Sequence, residues 1–573
     1  MVREELGKRA SLFNKEQLDI IAEDYKDWFN NTLRENDRQD ELAGKYKTLS
    51  GIPIKMLHTP VDIADLDYSK DIGFPGRPPY LRGVYPNMYR GRPFTVRQLA
   101  GLGAPEDCNL RVKYLLEHGA TGVNILFDLP TIRGYNSDDP EAEGNVGHCG
   151  AAVDSIWDID AYFKDIDIGS ISTSIVTHLP STSIVIPGMY FLIAEQRGVP
   201  REKIAGTCQN DFIMETCVGC APEVLPPAVS FRLQCDVIEY ICKNYPRWNP
   251  ISYNGYNLRE AGTDAVTEVA VAIANGIATA EELIRRGMDI DSFAPRMSFF
   301  WDLHNDFFEE IAKCRASRRV WYKIMHDRFG AKNPRSYLMR FHVQTAGITL
   351  TATEPLNNIA RSAIQGLAAV FGGCQSLHID SYDEAYSAPT EAAALVALRT
   401  QQIIQTETGV INTVDPLAGS YYVEYLTNEM EKRIFERIKQ IEDMGGLVKA
   451  VEDGWLHREI ANYNFQYQKK IESGEIKVVG VNYFRAEDAV SQEIEVFEYP
   501  ETYSRQKAKL DRLRKERNQK KVDECLRVLR EKCHSDENLY PYTLEAVKNL
   551  VTLGEIEEVF REEFGLWTFP LIS

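Results

Sequence analysis

The stretch YPNMYRGRPFTVRQLAGLG, residues 85–103, decides how the rest of the chain is interpreted. Its first half is rich in aromatic residues, Pro and Gly, a composition that excludes a helix. Its second half is a short apolar run closed by two glycines, which predicts a β-strand. Arg90, Arg92 and Arg97 lie in this stretch, although the chain carries a net charge of −19. These arginines are either solvated loop residues or part of a local site for a phosphorylated ligand.

Eight β-like runs begin with this stretch, and each is followed by a helix-like segment. The β runs lie at 97–103, 121–128, 171–177, 203–209, 251–256, 292–300, 339–345 and 374–379. The helical segments lie at 106–118, 154–165, 187–198, 228–244, 264–287, 304–329, 355–371 and 388–408. Such alternation over about 300 residues predicts an α/β protein built on a (β/α)8 TIM barrel with insertions.

The predicted barrel has an extension at each end. Residues 1–60 are charged and helix-prone, and we expect them to form an N-terminal helical arm. Residues 61–480 hold the barrel with its flanking segments, and residues 481–573 are expected to form a C-terminal helical linker or extension. Within that extension the cation-rich run 505–517 predicts a solvated helix face, and 542–564 predicts one last helix.

Several β runs carry small polar residues where a closed barrel normally holds Val, Ile and Leu. These residues are Ser170, Ser172, Ser174, Thr207, Gln209, Ser252 and Asn254. Two interpretations remain open at this point. The polar side chains face the surrounding helices, or they line a passage through the barrel that admits an elongated polar ligand.

Composition limits the class of protein. A chain of 573 residues with 44% apolar and 26% charged residues is typical of an enzyme with more than one domain. No apolar run reaches the ~20 residues that a membrane helix needs, so we expect no membrane association. The acidic balance argues against nucleic acid as a partner. The 11 scattered cysteines favour free thiols in a reducing cytoplasm.

The residues that end the β runs are mostly amides and hydroxyls. They are Asp128, Thr177, Gln209, Asn257, Ser298, Gln344 and His378. They include no paired carboxylates and no Ser/His/Asp arrangement, and the chain has no Walker A loop. The pair Cys217 and Cys220 offers two ligands where a structural zinc needs four, so we expect no metal site. Such a face suits binding and shielding while a cofactor supplies the chemistry.

Many motifs of residues 70–480, in the same order, resemble the large subunit of the adenosylcobalamin-dependent acyl-CoA mutases. This is the family of methylmalonyl-CoA, isobutyryl-CoA and 2-hydroxyisobutyryl-CoA mutases. The motifs are Tyr85–Gly103, Phe127–Thr131, Arg133–Asp138, Gly206–Asp211, Phe293–Phe300, Arg340–Thr345, Phe371–His378, Asp383–Ala385 and Asp415–Ser420. The C-terminal part is similar to the isobutyryl and 2-hydroxyisobutyryl members.

The resemblance implies a barrel threaded by the pantetheine arm of coenzyme A, with cobalamin at the active face. The implied reaction is a radical 1,2-shift of the thioester carbonyl group, in a closed site that keeps radicals from side reactions. The residues that match the family's acyl-CoA contacts are Tyr85, Met88, Thr95, Arg97, Gln98, Thr207, Gln209, Arg247, Arg296 and Ser298. Gln344 and Glu384 match contacts near the adenosyl group, and Asp380 occupies a nearby position that is often Asn.

Four departures from the family bear on the acyl group. Leu99 stands where the methylmalonyl enzyme has Tyr, and Gly219 stands where that enzyme has the Arg that clamps a carboxylate. Asn257 replaces a His that bonds the migrating carbonyl, and an amide can donate that bond but cannot transfer a proton. Leu126 stands where the hydroxyisobutyryl enzyme has Asp.

These differences predict an acyl group bulkier or more apolar than methylmalonyl. Arg133-Gly134-Tyr135 resembles the motif of the family members that act on dicarboxylyl-CoA substrates, so methylmalonyl-CoA or a substituted succinyl-CoA is the alternative substrate. A non-catalytic structural paralogue is the alternative from another class, because Asn257 departs from the family.

The sequence contains no Asp-x-His-x-x-Gly motif, which in this family supplies the lower cobalt ligand. We therefore expect no cobalamin-binding domain in this chain. A separate small cobalamin-binding subunit would supply the axial His, in a heterodimer or heterotetramer.

Overall fold

Eight parallel strands follow one another around a barrel, which confirms the predicted fold. The computed structural model describes residues 11–148, 150–177, 179–218, 223–386, 389–485 and 499–570. The barrel strands are β1 Thr95–Ala100, β2 Gly122–Leu126, β3 Ser172–Val176, β4 Ala205–Cys208, β5 Trp248–Asn249 with Ile251–Asn254, β6 Met297–Leu303, β7 Phe341–Thr345 and β8 Ser376–His378. Strand β8 pairs with β1, as neighbours in a barrel must.

Strand β5 completes the ring in two pieces. Its first piece pairs with β4, where Thr207 lies opposite Asn249, and its second piece pairs with β6. Pro250 separates the pieces because it has no backbone N–H to donate to the sheet. The N–H of Ser252 donates to the Gln209 carbonyl over 3.1 Å, so contact between β4 and β5 continues beyond the break.

A helix follows each strand and covers the outside of the barrel. These helices are α1 Pro105–Glu117, α2 Ile156–Tyr162, α3 Ile186–Gln196, α4 Pro227–Asn244, α5 Ala265–Arg285, α6 Phe307–Lys323, α7 Asn357–Gly372 and α8 Glu391–Thr406. Their apolar faces and the outward side chains of the strands share one large core. None of the helices in the described ranges is long and apolar enough to cross a membrane.

Two of the predicted β runs were wrong at one end. Residues of the run 292–300 form the helix Ile290–Phe293 and the turn Ala294–Arg296 before the strand begins at Met297. The Asp289 side chain caps that helix by accepting the Asp291 N–H over 2.8 Å. At the end of β5 the chain turns at once into the helix Tyr256–Gly262, so Tyr256 is not part of the strand.

Further short helices lie between the larger elements. They are Met88–Gly91, Leu129–Ile132, Pro180–Ser183 and Leu447–Glu452, with π-helical turns at Tyr68–Ile72, Met214–Val218 and Ile324–Arg328. The expectation that the first half of 85–103 excludes a helix was wrong, because Pro86 and Pro93 lie outside the single turn Met88–Gly91 and remove none of its hydrogen bonds. The N-terminal region holds the helices Lys15–Asp27 and Glu35–Leu42, which contain no buried residue.

The C-terminal region packs against the barrel as a series of helices. They are α9 Tyr421–Asp443, α10 Trp455–Glu472, α11 Thr502–Glu516, α12 Gln519–Cys533, α13 Tyr540–Lys548 and α14 Leu553–Phe564, followed by the short strand Trp567–Thr568. The single helix predicted for 542–564 is thus wrong. Leu550 adopts a positive φ of 63°, and Thr552 caps α14 by accepting the Glu555 N–H.

The solvated face predicted for 505–517 is confirmed for Lys507, Arg512 and Lys515, which are exposed, but not for the cations that face the barrel. Arg505 in α11 lies 2.9 Å from the Asp107 carboxylate, and Lys509 lies 2.8 Å from Asp158, which is buried. These ion pairs join α11 to residues of the barrel helices α1 and α2. The cations therefore hold the C-terminal region against the barrel.

Candidate active site

A cavity of about 480 Å³ opens at the amino-terminal ends of the barrel strands and extends between them. It begins at Tyr85 and Met88, which precede β1, and reaches the inward side chains of the strands. Its polar lining includes Ser172, Thr207, Asn249, Ser252, Ser298, His342 and Ser376. Ser172, Thr207 and Ser252 therefore line a space inside the barrel, as the second interpretation of the polar β runs predicts. By contrast, the hydroxyl of Thr173 faces outward and lies 3.0 Å from the Tyr190 hydroxyl of α3.

The described lining of this cavity is rich in arginine and contains no carboxylate. The six arginines are Arg92, Arg97, Arg247, Arg296, Arg335 and Arg340. This concentration of positive charge occurs in a chain whose net charge is −19. Planar guanidinium groups bind phosphate oxygens in a bidentate manner, so the mouth is suited to a phosphorylated ligand.

Arg97 is the deepest of these cations and is held by the barrel itself. Its guanidinium donates to the Val123 carbonyl over 3.2 Å, to Asn124 Oδ1 over 3.3 Å, and to the Ser172 carbonyl and hydroxyl over 3.2 and 2.9 Å. Burial, together with the nearby Arg92, lowers the pKa of Arg97 to about 10. Arg97 therefore stays charged at neutral pH without a carboxylate partner in the cavity.

Two further arginines are held by backbone carbonyls. Arg296 donates to the Tyr245 carbonyl over 2.6 Å and to the Trp248 carbonyl. Arg340 donates to the Pro295 carbonyl. Neither of these bonds neutralises the guanidinium charge, so both cations keep positive potential at the mouth.

The structure brings most of the predicted acyl-CoA residues together around this cavity. Those that line it are Tyr85, Met88, Thr95, Arg97, Thr207, Arg247, Arg296 and Ser298. The backbones of Gln98 and Leu99 lie in β1 opposite Val123 and Asn124, and nothing is described of their side chains. Gly219 lies outside the described residues.

Gln209 and Asn257 meet at the opposite, carboxyl-terminal end of the barrel. Asn254 joins them, because its Nδ2 donates to Gln209 Oε1 over 3.3 Å and its Oδ1 accepts the Asn257 N–H over 2.9 Å. The buried Asp211 accepts the Asn254 N–H over 2.7 Å, and burial raises the pKa of Asp211 to about 7. Asn254 thus links the side-chain amide of Gln209 to the backbone N–H of Asn257.

The predicted cofactor residues lie at the same end. Gln344 Nε2 donates to Asp380 Oδ1 and to the Tyr256 hydroxyl, each over 2.8 Å. Asp380 also accepts from the Thr345 hydroxyl over 3.1 Å. The Tyr256 ring stacks on Phe300, with 4.7 Å between the ring centroids and an interplanar angle of 6°. This arrangement fixes the Gln344 amide at the barrel's edge.

Several carboxyl groups crowd around this arrangement. Burial and the neighbouring Asp380 raise the pKa of Glu384 well above its usual value, and the same two causes raise the pKa of Glu260. Asp302 is fully buried, and burial and Glu260 raise its pKa in the same direction. Glu260 Oε1 and both oxygens of Asp302 have no hydrogen-bond partner. A ligand with hydroxyl donors would satisfy these oxygens.

Sequence reasoning missed several residues of the site. At the mouth these are Arg335, Arg340 and His342, and at the carboxyl end they are Tyr256, Glu260 and Asp302. Tyr256 and Glu260 are four residues apart in one short helix, so helical spacing could have paired them once that helix was recognised. His342 lines the cavity, and burial lowers its pKa well below the usual value.

No cluster of three or more metal-ligating side chains occurs within the described ranges. The described side chains at the carboxyl end are amides, a phenol and carboxyl groups that lie close together. Buried amides donate hydrogen bonds to a developing negative charge without exchanging protons.

An arginine-lined cavity at one end of the barrel, and a group of buried amides and carboxyls at the other, are typical of a barrel enzyme that binds a long anionic ligand. The family model for methylmalonyl-CoA mutase matches residues 47–566, and the chain belongs to that family. Family members are isomerases that rearrange acyl-CoA, and this chain is an acyl-CoA mutase.

Three relatives illustrate the range of similarity. The 2-hydroxyisobutanoyl-CoA mutase large subunit of Aquincola tertiaricarbonis is 42% identical over 553 residues, which cover 96% of each chain. Mitochondrial methylmalonyl-CoA mutase of Homo sapiens is 39% identical over 534 residues, which cover 92% of this chain and 70% of the relative. Methylmalonyl-CoA mutase of Cereibacter sphaeroides is 39% identical over 535 residues, which cover 92% of this chain and 74% of the relative.

Proposed function

We propose that this chain is the large, catalytic subunit of an adenosylcobalamin-dependent mutase whose acyl group is bulkier or more apolar than methylmalonyl. The observation that carries the proposal is the passage itself. Its mouth holds six arginines and no described carboxylate, and its polar bore leads toward the amides Gln209 and Asn257.

Coenzyme A suits this passage in both charge and shape. Arg247 and Arg296 at the mouth would bind the nucleotide phosphates, and Tyr85 and Met88 would cover the same end. The hydroxyls of Thr207 and Ser298 would bond the amide groups of pantetheine inside the barrel. The thioester would then lie at the carboxyl-terminal end, where the active sites of (β/α)8 enzymes are found.

The residues at the carboxyl-terminal end would orient the thioester and exclude water. Gln209 and Asn257 would donate hydrogen bonds to the thioester oxygen, and amides keep that role at every physiological pH. Hydrogen bonds of this kind stabilise the carbonyl group as it migrates. Asn257 would therefore serve as a working replacement for the family's His.

Adenosylcobalamin, when bound, supplies the radical that starts the rearrangement. The unpaired oxygens of Glu260 and Asp302 fit the hydroxyl groups of its adenosyl part, because these buried acceptors otherwise have no partner. Gln344, Asp380 and Glu384 would hold the same group, with Tyr256 fixing the Gln344 amide. These residues bind and shield the group, as is usual for proteins whose cofactor carries the chemistry.

The acyl preference rests on Leu99, Gly219 and Leu126. Leu99 and Gly219 leave more space than Tyr and Arg, and the loss of Arg removes charge-assisted bonds to a free carboxylate. Leu126 removes a partner for an acyl hydroxyl. An uncharged branched acyl group fits these three changes together.

We further propose that a separate small subunit binds cobalamin and supplies the axial His, in a heterodimer or heterotetramer. One support is that the relative from Aquincola tertiaricarbonis, similar over 96% of both chains, is named a large subunit. The other is that this sequence contains no Asp-x-His-x-x-Gly motif. A reducing cytoplasm suits such an enzyme, since every described cysteine is a free thiol.

The test is an isomerisation assay followed by mass spectrometry. The chain, a small cobalamin-binding partner and adenosylcobalamin are offered methylmalonyl-, isobutyryl-, 2-hydroxyisobutyryl-, pivalyl- and alkyl-succinyl-CoA. We expect turnover of an uncharged branched acyl group, with methylmalonyl-CoA inert. Turnover of methylmalonyl-CoA alone would assign the carboxylate to Arg133 and refute the acyl preference. No turnover of any acyl-CoA, with cobalamin bound, would favour a non-catalytic paralogue.

A further inference from the structure

The last described residues of the chain return to the carboxyl-terminal face of the barrel. We call residues 553–570, which comprise α14 and the strand Trp567–Thr568, the C-terminal clamp. It touches two of the connections that follow barrel strands. These are the loop after β2, residues 127–136, and the loop after β4, residues 209–224. Because both loops leave the carboxyl ends of strands, both border the reacting end of the proposed site.

Arg561 of the clamp holds the loop after β2. Its Nη2 donates to the carbonyls of Arg133 and Gly134 over 2.7 and 2.8 Å. Its guanidinium also lies 4.2 Å from the centroid of the Tyr135 ring. One side chain thus fixes three consecutive residues of the loop, through two charge-assisted hydrogen bonds and a cation–π contact.

Packing around Gly134 leaves this loop no alternative path. Gly134 has a φ of +69°, and a Cβ there would lie 2.3 Å from Cγ of Glu557. The N–H of Gly554 donates to Asn136 Oδ1 over 3.2 Å. The first turns of α14 therefore fit closely against the loop, and only glycine is tolerated at position 134.

The same helix reaches the loop after β4 through buried carboxyl groups. Glu557 is 3% exposed, and Glu215 of the loop is 2% exposed. The Ser181 hydroxyl bonds both carboxyl groups, and the Ser230 hydroxyl donates to Glu215 over 2.6 Å. Burial raises the pKa of Glu215 to about 7 and that of Glu557 to about 8.

The end of the clamp holds the loop after β4 a second time. Trp567 and Thr568 pair antiparallel with Val224 and Glu223. The Nε2–H of His457 in α10 donates to the Thr216 carbonyl over 2.8 Å, and the His457 ring centroid lies 5.8 Å from that of Trp567. The described parts of this connection, at Thr216 and at 223–224, are therefore fixed by contacts that are distant in sequence.

We propose that the C-terminal clamp positions the β2 and β4 loops and thereby sets which acyl group the site accepts. The inference rests on the proposed function, because Arg133, the alternative partner for a charged acyl group, lies on the first of these loops. Glu557, Arg561 and Trp567 act as positioning residues that touch the loops and not the substrate.

The first test concerns positioning and needs no substrate. Hydrogen exchange is followed in peptides that cover residues 127–136 and 209–224, in the full chain with its partner. Trp567→Ala should raise exchange in the second peptide by about tenfold, since the rings that cover the strand pair are lost. Trp567→Phe should restore protection, and Leu566→Ala, a change at the exposed neighbour, should have no effect. Unchanged exchange in Trp567→Ala would overturn the clamp, whatever reaction the enzyme performs.

The second test concerns selectivity. The ratio of kcat/KM for isobutyryl-CoA to that for methylmalonyl-CoA is measured with Arg561→Gln and with Trp567→Ala. A misplaced loop should change this ratio by about tenfold, while the Kd for free CoA stays the same, because the mouth is at the other end of the barrel. If kcat falls equally for both substrates and the ratio is unchanged, the clamp is only structural and the inference fails. A wild-type complex that turns over neither substrate nor any other acyl-CoA refutes the proposed function instead, and the exchange result still decides the clamp.

A matched pair of variants distinguishes the effect of the buried Glu557 carboxyl from general effects of a substitution in α14. Glu557→Gln keeps the shape and removes one of two facing acids, whereas Glu558→Gln changes the exposed neighbour. In the wild type, the Glu557 and Glu215 carboxylates repel each other once both ionise. Among the described charged groups near Glu557, Arg561 alone favours the ionised form. The selectivity ratio of the wild type should therefore change above about pH 8. Glu557→Gln should abolish that change and Glu558→Gln should not. A pH-independent wild-type ratio would contradict this part of the mechanism.

Discussion

Replacing Arg97 by Met should separate ligand affinity from stability. At neutral pH the barrel keeps this cation charged although burial lowers its pKa to about 10, which corresponds to a burial penalty of about 3 kcal/mol. Its four hydrogen bonds to Val123, Asn124 and Ser172 stabilise the fold by about 1 kcal/mol each. The two contributions nearly cancel, so Arg97→Met should lower the free energy of unfolding by only about 1 kcal/mol.

The affinity for coenzyme A should fall much more. Loss of a charged donor inside a passage with no described carboxylate removes about 2–3 kcal/mol of binding free energy, which raises Kd by about 30- to 150-fold. Calorimetric titration with CoA gives Kd, and thermal unfolding gives Tm, which should shift by no more than about 3 °C. Because folding lowers the pKa of Arg97 to about 10, the buried guanidinium loses its charge above that pH while the unfolded chain keeps it. The free energy of unfolding of the wild type should therefore increase relative to that of Arg97→Met as pH rises through about 10.

The control is Arg90→Met, which makes the same charge change in the same stretch. Arg90 is exposed and does not line the cavity. Arg90→Met should change Kd by less than about threefold, because Arg90 contributes only a long-range attraction that salt screens. If Arg97→Met and Arg90→Met weaken CoA binding equally, the arginines act as diffuse charge and the proposed passage is wrong.

Three further predictions address the carboxyl-terminal end. Asn257→Ala should lower kcat by about 100-fold and leave the Kd for CoA unchanged, whereas Asn257→His should retain activity. Steady-state assays of the three proteins give kcat. Asp380→Asn should lower the raised pKa of Glu384. A carboxyl group whose pKa is raised by folding costs stability as pH rises above the ordinary Glu pKa of 4.5. The variant should therefore lose less Tm than the wild type as pH rises from 4.5, and an equal loss would refute the coupling. Leu99→Tyr combined with Gly219→Arg should move kcat/KM toward methylmalonyl-CoA; no movement would count against the acyl-pocket assignment.

The fold was predictable because its signal is local. Each strand and helix of the barrel has a recognisable pattern in its own stretch of sequence. The alternation of strands and helices is therefore recognised even where the end of a run, such as 292–300, is predicted wrongly. The mouth was partly predictable for the same reason, since Arg92 and Arg97 lie in one short stretch. Arg335 and Arg340 were missed because nothing in their neighbourhood distinguishes them from surface cations.

The contacts of the C-terminal region could not be predicted from local patterns. Arg561 bonds a carbonyl that is 428 residues away in sequence, and Lys509 pairs with an acid 351 residues away. A cation-rich helix looks the same in sequence whether its charges face water or acids of another element. The group formed by Tyr256, Glu260 and Asp302 was missed because the break from strand to helix after β5 depends on packing against Phe300.

The most direct test of the account is a structure of the chain with a bound acyl-CoA. We predict that the nucleotide phosphates contact Arg247 and Arg296 at the amino-terminal mouth, and that the thioester oxygen lies within hydrogen-bond distance of Gln209 or Asn257. A ligand that enters from the carboxyl-terminal end, or that binds outside the barrel and leaves the passage empty, would contradict the central claim.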